Sequence, residues 1–289
     1  MSENIYPLQI ESSFYRSANP DLAELSDLEL SNHYFSHGEA EGRVSNRLLK
    51  REDFASLAMD FSSILEIGPF ASPLLSGNGT KYADVLSTEE LQAKAESLGI
   101  SKLLVPHIDF VVSDKKIEIA ETFDVVLSSH VIEHSLDLIA HLQQIEELLN
   151  VGGAYFLLVP DHRYCFDHFQ NPSTLIDFLE AHSQRPSGKG FRSIFLDSFN
   201  TTHNDPLRHW DGDHGRIEEP ATEEVSKLYS SFLSSDPANY YDVHRWYFSP
   251  TSFSRSLAQI NDLGLTGLVE ERMYPTRTGA NEFWVILRK

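Results

Sequence analysis

Five short runs in the first 160 residues read as strands, and most of them are too apolar for either face to be left in water. They are SILEIG (63–68), TKYADV (80–85), LLVPHIDFVV (103–112), broken by Pro106, FDVVLSS (123–129) and AYFLLVP (154–160). The stretches before, between and after them carry helical spacing. Residues 46–62 place Leu48, Leu49, Phe54, Leu57 and Ala58 on one apolar face. Residues 87–99 open with Ser87 and Glu90 in capping-box spacing and stop at Gly99. Residues 136–150 form a third helix, followed by a Gly-Gly turn. Strands that alternate with helices in this way predict an α/β fold, a doubly wound and mostly parallel sheet with helices on both faces.

The rhythm changes twice. Residues 1–45 alternate short helical patterns with Asn-Pro and Gly breaks and read as a small helical N-terminal segment. After the fifth strand, residues 161–240 are rich in aromatic, His, Asp, Gly and Pro residues, with a helical piece near 173–182. That stretch reads as an insertion, or lid, over the acceptor side. Ser249 and Pro250 then open a helix running to about Asn261, as N-cap and first helical residue. Two strand-like runs, 264–274 and 281–289, end the chain and predict a seven-stranded sheet with an antiparallel last strand at one edge. The expected division is therefore 1–45, then a main domain over 46–289. The latter splits into a cofactor half (46–160), the insertion (161–240) and the closing helix and strand pair (241–289).

Composition narrows the function classes. The chain has 43 acidic and 23 basic residues, a formal net charge of −20, and no Lys/Arg cluster. Such a field repels phosphate backbones, so no nucleic-acid partner is expected. The one cysteine, Cys165, allows no intrachain disulfide and fits a reducing compartment. The N-terminus lacks a secretory pattern and no apolar run is long enough for a membrane span. A cytoplasmic protein is the expectation.

Chemistry concentrates where strands end, which is where open parallel sheets bind ligands. The segment from Phe123 to Asp161 is one βαβ unit with His130, Glu133 and His134 after its first strand and Asp161 and His162 after its second. Gly68 closes the first strand and lets a ligand approach the backbone. Glu66 lies beside it, in the wrong place for a pyrophosphate and the right place for an ammonium group. Asp84 follows Glu66 by eighteen residues, at the end of strand two, the position of a ribose-binding acid in Rossmann-like domains. Asp109 ends strand three, where a carboxylate can accept from an adenine amino group.

On these residues the chain resembles the class I S-adenosylmethionine-dependent methyltransferases (type 11/23-like) from about Ile64 to Pro160, and again over the terminal strand pair. The strongest motif is FDVV-x-x-x-HVIEH, then a helix and GG-x-x-x-x-x-VPD. The resemblance implies a Rossmann-like sheet and S-adenosylmethionine as cofactor. It implies that Glu66, Gly68 and Pro69 hold the methionine end and that Asp84 pairs with the ribose. It places Asp109 and the amide of Phe110 at the adenine, and Ser129 and His130 along the cofactor. The family's glycine loop is usually E-x-G-x-G-x-G. This chain has EIGPFAS, with Phe70 and Ser72 where later glycines stand, so its loop is stiffer and packs Phe70 on the domain. Within residues 1–45, Asn19, Pro20 and Asp21, then His33, Tyr34, His37, Gly38, Glu41, Gly42 and Arg43, resemble a motif of bacterial proteins that handle surface polysaccharides. A small helical cap packed on the main domain explains them equally well.

Methyl transfer to a hydroxyl needs a base, and a histidine serves near neutral pH. His130, His134 and His162 are the candidates. Glu133 and His134 also resemble a Glu-His pair that binds divalent metal in the ubiquinone-pathway and small-RNA 2′-O-methyltransferases. Those have Glu where His130 stands here, so the ligand set is incomplete in sequence and no metal is expected. The runs DHRYCFDHF (161–169), THNDPLRHWDGDHGR (202–216) and DVHRWYF (242–248) offer aromatic, imidazole and carboxylate groups suited to a sugar, to solvent or, in the 202–216 run, to an acceptor together with a metal. The expected acceptor is a small molecule or glycan, and the expected reaction O-methylation in polysaccharide biosynthesis. A phenol, quinone or carboxylate acceptor, or a non-catalytic cofactor-binding module, stands as the alternative.

Overall fold

The structure, a computed structural model, describes residues 6–77, 79–113, 116–236 and 241–289. Seven strands form one sheet: β1 (Ile64–Ile67), β2 (Thr80–Asp84), β3 (Phe110–Val111), β4 (Phe123–Ser129), β5 (Leu149–Pro160), β6 (Val269–Tyr274) and β7 (Glu282–Arg288). Their order is β3-β2-β1-β4-β5-β7-β6. Pairing is parallel from β3 through β5, while β7 runs antiparallel to both β5 and β6. The last strand is thus antiparallel, as the pattern predicts. It slots between β5 and β6, which leaves β6 at the edge. The burial pattern explains the placement: β7 reads EFWVILR and is buried through Leu287, whereas VEERMY in β6 is exposed or half-buried except at Tyr274.

The period-two side-chain alternation of strands feeds two cores. Leu65, Val126, Tyr155, Leu157 and Val285 enter one. Ile64, Val125, Leu127, Phe156, Leu158 and Trp284 enter the other. The first core is closed by α5 (Leu138–Leu148), α6 (Leu175–Gln184) and α10 (Pro250–Asp262), through residues such as Ile139, Phe178 and Leu257. The second is closed by α3 (Arg51–Ser56), whose Phe54 stacks on Trp284 at 5.4 Å. A third cluster sets Leu91 and Ala95 of α4 (Thr88–Ser97) on Val105 and Ile108. Each fully buried aliphatic side chain contributes about 1.5–3 kcal/mol of transfer free energy.

Two elements are shorter than their sequence patterns. The helix expected over 46–62 is α3 followed by a 3-10 turn, Leu57–Asp60. Its start is delayed because the Asp53 carboxylate takes the amides of Leu49 and Lys50 at 2.9 and 3.1 Å. The strand expected over 103–112 is only β3. Leu103 and Leu104 lie 88 and 55 % exposed, and Pro106 removes a ladder donor while restricting the residue before it.

The insertion is more helical than its composition suggests. Besides α6 it holds α7 (Phe191–Phe199), α8 (Pro206–Trp210) and α9 (Thr222–Ser234). Their spacing was available: Phe191, Phe195 and Phe199 recur every four residues, and Phe191 meets Tyr229 and Phe232 of α9 at 5.0 and 5.4 Å. In the N-terminal segment, α1 (Ser12–Ala18) and α2 (Asp27–His33) close a small core of Tyr15, Leu22, Leu30 and Tyr34. The motif residues hold that core together. Arg43 bonds Asp21 at 2.7 Å and Glu41 at 2.6 Å, and the Tyr15 hydroxyl meets His33 at 3.0 Å. A Cβ on Gly42 would come within 1.9 Å of Thr278 Oγ1, so this glycine is where the segment docks on the β6–β7 turn.

Candidate functional site

The strand order reverses between β1 and β4, and a cavity of about 730 Å3 opens at their carboxyl ends. Its volume suits a small organic ligand. Gly68, Asp84, Val112, His130, His134 and Asp137 are among its lining residues. Two of them hold left-handed backbone. Gly68 has φ +72°, and a Cβ there would meet Val131 Cγ2 at 2.7 Å. His130 has φ +54°, an uncommon state for a histidine, which turns the chain sharply off β4 and sets its ring on the cavity wall. Phe70, also at positive φ, both lines the cavity and packs beside Leu91 and Ala95.

The remaining expected cofactor residues sit around this cavity in different roles. Asp84 lines it, 8 % exposed, and burial raises its carboxyl above the ordinary value. Glu66 is buried below it and faces the loop: its two oxygens accept the amides of Leu74 and Leu75 at 2.8 and 3.0 Å. Burial pushes that carboxyl up to about 7, against the two amide bonds and Arg51. Pro69 contributes its carbonyl to the Ser72 amide at 3.0 Å. Asp109 is exposed and accepts the Tyr82 amide at 2.9 Å, tying the entry of β3 to β2. Phe110 packs on Phe123, so Val112 and Ser113 are what line the cavity at the β3 exit. Ser129 is bonded by the Arg51 guanidinium. None of Glu66, Pro69, Asp109, Phe110 and Ser129 is among the lining residues.

The three candidate bases separate in the same way. His130 and His134 line the cavity; His162 does not. His162 is buried after β5, its amide on the Phe248 carbonyl at 2.9 Å, and burial lowers its pKa. Its neighbour Asp161 is fully buried and bonds Thr276 and Arg163, each at 2.6 Å, locking the β5 exit. Cys165 is buried and its thiol is pushed well up by that burial, so it is packed rather than nucleophilic.

Between His130 and His134 the structure assembles a buried charge centre. Glu133 is 0 % exposed, and neither of its carboxylate oxygens has a hydrogen-bond partner among the described residues. Its Oε1 lies 3.8 Å from each of His130 Nδ1, His134 Nε2 and His244 Nε2. Each imidazole is backed by a further carboxylate on its other nitrogen. His130 Nε2 meets Glu282 at 2.8 Å, His244 Nδ1 meets Asp167 at 2.5 Å, and His134 Nδ1 lies 3.5 Å from Asp242. Burial raises the Glu133 carboxyl and drives His134 down to about 3, helped by the nearby His244 and Lys189. Burial also works to lower His244, but the Asp167 bond outweighs it and its pKa ends above the ordinary value. For Glu282, burial would raise the carboxyl and the His130 bond outweighs that, holding it low. Glu133, His134 and His244 present one ligand atom each, all within 4.8 Å of one another, so this set could hold a metal ion.

His130 and His134 are legible in the sequence from their place after an apolar strand. Glu282 and Arg51 are not, since a strand's first residue and a helix's first residue carry no motif. His244 reaches the centre because the amides of Arg245 and Trp246 both bond the Glu133 carbonyl, at 2.8 and 3.2 Å. Lys189 reinforces that join by donating to the carbonyls of His134 and Val243.

No family model and no curated protein sequence matches the chain. Among solved structures, it is similar to an S-adenosylmethionine-dependent methyltransferase from Mesorhizobium loti, with 13 % identity over 78 % of this chain and 90 % of that one and a TM-score of 0.39. One from Clostridium acetobutylicum gives 10 % identity, 90 % and 98 % coverage and a TM-score of 0.42. One from Aquifex aeolicus gives 12 %, 96 % and 98 %, and 0.37.

Proposed function

We propose that this chain is an S-adenosylmethionine-dependent methyltransferase acting on a hydroxyl acceptor, of which a sugar or glycan-related molecule fits best. The observation that supports the donor is the cavity at the β1–β4 reversal, with Gly68 kept free of a side chain at its floor and the Asp84 carboxylate at the β2 exit. Gly68 and the backbone beside it would carry the methionine end, and Asp84 would accept from ribose hydroxyls. When bound, the cofactor supplies an electrophilic methyl group; the protein must orient the acceptor and take its proton. His130 is the group placed for that. Its ring is one third exposed on the cavity wall, Glu282 fixes Nε2, and Nδ1 is the nitrogen left for the proton. The glycan preference rests on the N-terminal motif and on the aromatic Tyr164–Trp210 stack, 4.0 Å apart, in the insertion.

Two experiments test the reading. Calorimetry with S-adenosylmethionine should show binding at sub-millimolar cofactor; its absence leaves only a non-catalytic module. A methyl-transfer screen should show turnover on nucleotide sugars or deoxysugars. Turnover confined to phenols, quinones or carboxylates would reject the glycan acceptor and keep the donor.

Glu133 favours a second reading of the acceptor chemistry. A buried carboxylate with no hydrogen bond is costly unless something positive occupies its surroundings. A divalent cation held by Glu133, His134 and His244 would satisfy it and would lower the pKa of an acceptor hydroxyl, the work otherwise assigned to His130. Turnover that is abolished by a chelator and restored by a divalent cation selects this reading. Turnover indifferent to chelation selects the base.

A further inference from the structure

A second group of histidines lies outside the cavity, in the insertion. His168 follows the β5 exit, His209 lies in α8 and His214 in the loop after it. His209 is 2 % exposed. The Nδ1 atoms of His209 and His214 face each other at 3.2 Å. Two nitrogens bound to one tetrahedral ion at about 2.0–2.1 Å stand roughly 3.3 Å apart.

The protonation of these rings follows from their outer partners. His168 Nδ1 lies 2.7 Å from the Arg163 carbonyl, and His209 Nε2 lies 3.1 Å from the His203 carbonyl. A carbonyl only accepts, so both of those nitrogens carry the hydrogen. The lone pairs are left on His168 Nε2 and His209 Nδ1. His203 is excluded, because its Nε2 donates to the Asp213 carbonyl at 2.9 Å and its Nδ1 accepts the Asp205 amide at 3.3 Å. The neighbouring acid in sequence, Asp213, is engaged by Arg208 at 2.7 Å and the Gly215 amide at 3.1 Å.

We propose that His168, His209 and His214 form a three-histidine site for a borderline divalent cation of the Zn2+ class, which staples the loop 203–215 to the exit of β5. All-imidazole donors with no carboxylate select such an ion over Mg2+ or Ca2+. One ring nitrogen from each of the three already lies within 4.8 Å of one from each of the others. His168 stacks on His214 at 3.7 Å and 9°, so binding the ion would require its ring to turn about the Cβ–Cγ bond until Nε2 aims at it. The ion would add to ties that hold the loop without it: the Thr202 amide on the Phe166 carbonyl at 2.9 Å and Trp210 Nε1 on the Ala280 carbonyl at 2.9 Å. The site stands apart from the cavity, so it holds whether or not the chain transfers methyl groups.

The test is a Co2+ titration of the full chain after chelation and dialysis, followed by visible absorption, with Zn2+ as competitor. One equivalent of Co2+ should give a tetrahedral d–d band that Zn2+ displaces. His209→Gln and His214→Gln should each weaken that binding at least tenfold, while Glu133→Gln leaves it intact. Zn2+ should raise the unfolding midpoint of the parent chain and not of His209→Gln. No band at equimolar Co2+, or a band lost only in Glu133→Gln, overturns the proposal. If His209→Gln does not fold, His168→Gln carries the test: an unchanged isotherm in that folded variant overturns the three-ligand site.

Discussion

The two histidine groups of this molecule are built on opposite principles. Around Glu133, the cavity-lining His130 and His134 and the buried His244 each face a carboxylate on the nitrogen turned away from it: Glu282, Asp242 and Asp167. In the insertion, His168, His203 and His209 each bond a backbone carbonyl instead: Arg163, Asp213 and His203. A carboxylate partner stabilises the protonated ring and moves its pKa, so it makes an imidazole useful for handling protons or charge. A carbonyl fixes only the tautomer. The difference separates rings that face a second charge from rings that are oriented by the backbone alone.

The largest expected effect breaks that comparison most directly. His130→Ala should lower kcat by about 10²–10⁴-fold, the usual range for loss of a general base, with cofactor affinity kept. His209→Gln should leave kcat within about twofold, since His209 is not among the residues that line the cavity. Equal losses in both variants, measured by initial-rate kinetics and calorimetry, would erase the distinction between wall and loop. Next in size is Gly68→Ala. The left-handed backbone and the 2.7 Å approach to Val131 leave no place for a Cβ, so cofactor affinity should fall by roughly a hundredfold. A folded variant that binds as tightly as the parent would remove Gly68 from the donor site.

A pH prediction sharpens the electrostatic half of the comparison. The folded-state pKa of Glu66 is about 7, against an ordinary value of 4.5, because burial penalises its charge. Between those values the folded chain holds the proton more tightly than the unfolded one. Stability from this group is therefore complete below about pH 4.5 and is lost as pH rises through about 7, by roughly 3 kcal/mol in all. Urea unfolding of the parent and Glu66→Gln across pH 4.5–8 checks the sign, since every other group cancels in the difference. The variant should gain on the parent as pH rises. Parallel curves would mean that the amides of Leu74 and Leu75 win over burial and that Glu66 is ionised in the fold.

What the sequence made legible divides along similar lines. The sheet could be read because burial on both faces leaves continuous apolar runs, as in β5 and β7, and Gly68, Asp84, His130 and His134 could be read because they follow such runs. Glu66 was visible as an acid but not as a brace, since nothing local shows that the amides of Leu74 and Leu75 fold back onto it. His244 and Glu282 join the charge centre around Glu133 through contacts spanning more than a hundred residues, 111 from His244 to Glu133 and 152 from Glu282 to His130, and no periodicity records such a meeting. The insertion hid its helices behind an irregular composition. Its histidines were visible as a crowded loop, but their carbonyl partners belong to the backbone and leave no mark in the side-chain pattern.

The smallest effect tests whether the loop's order really comes from such local bonds. Asp205 caps α8, its carboxylate accepting the amides of Leu207 and Arg208 at 3.1 and 3.3 Å. Removing an N-cap costs about 1 kcal/mol, and a helix of five residues has little else to hold it. Asp205→Ala should therefore loosen α8 alone. Trp210 reports on it, because its ring stacks on Tyr164 at 5° and its Nε1 bonds the Ala280 carbonyl. Increased quenching of tryptophan emission by acrylamide is expected, with kcat unchanged. A variant that loses turnover while its tryptophans stay protected would show that the loop and the cavity wall act as one unit, and the contrast between carbonyl-backed and carboxylate-backed histidines would then describe their chemistry without separating their roles.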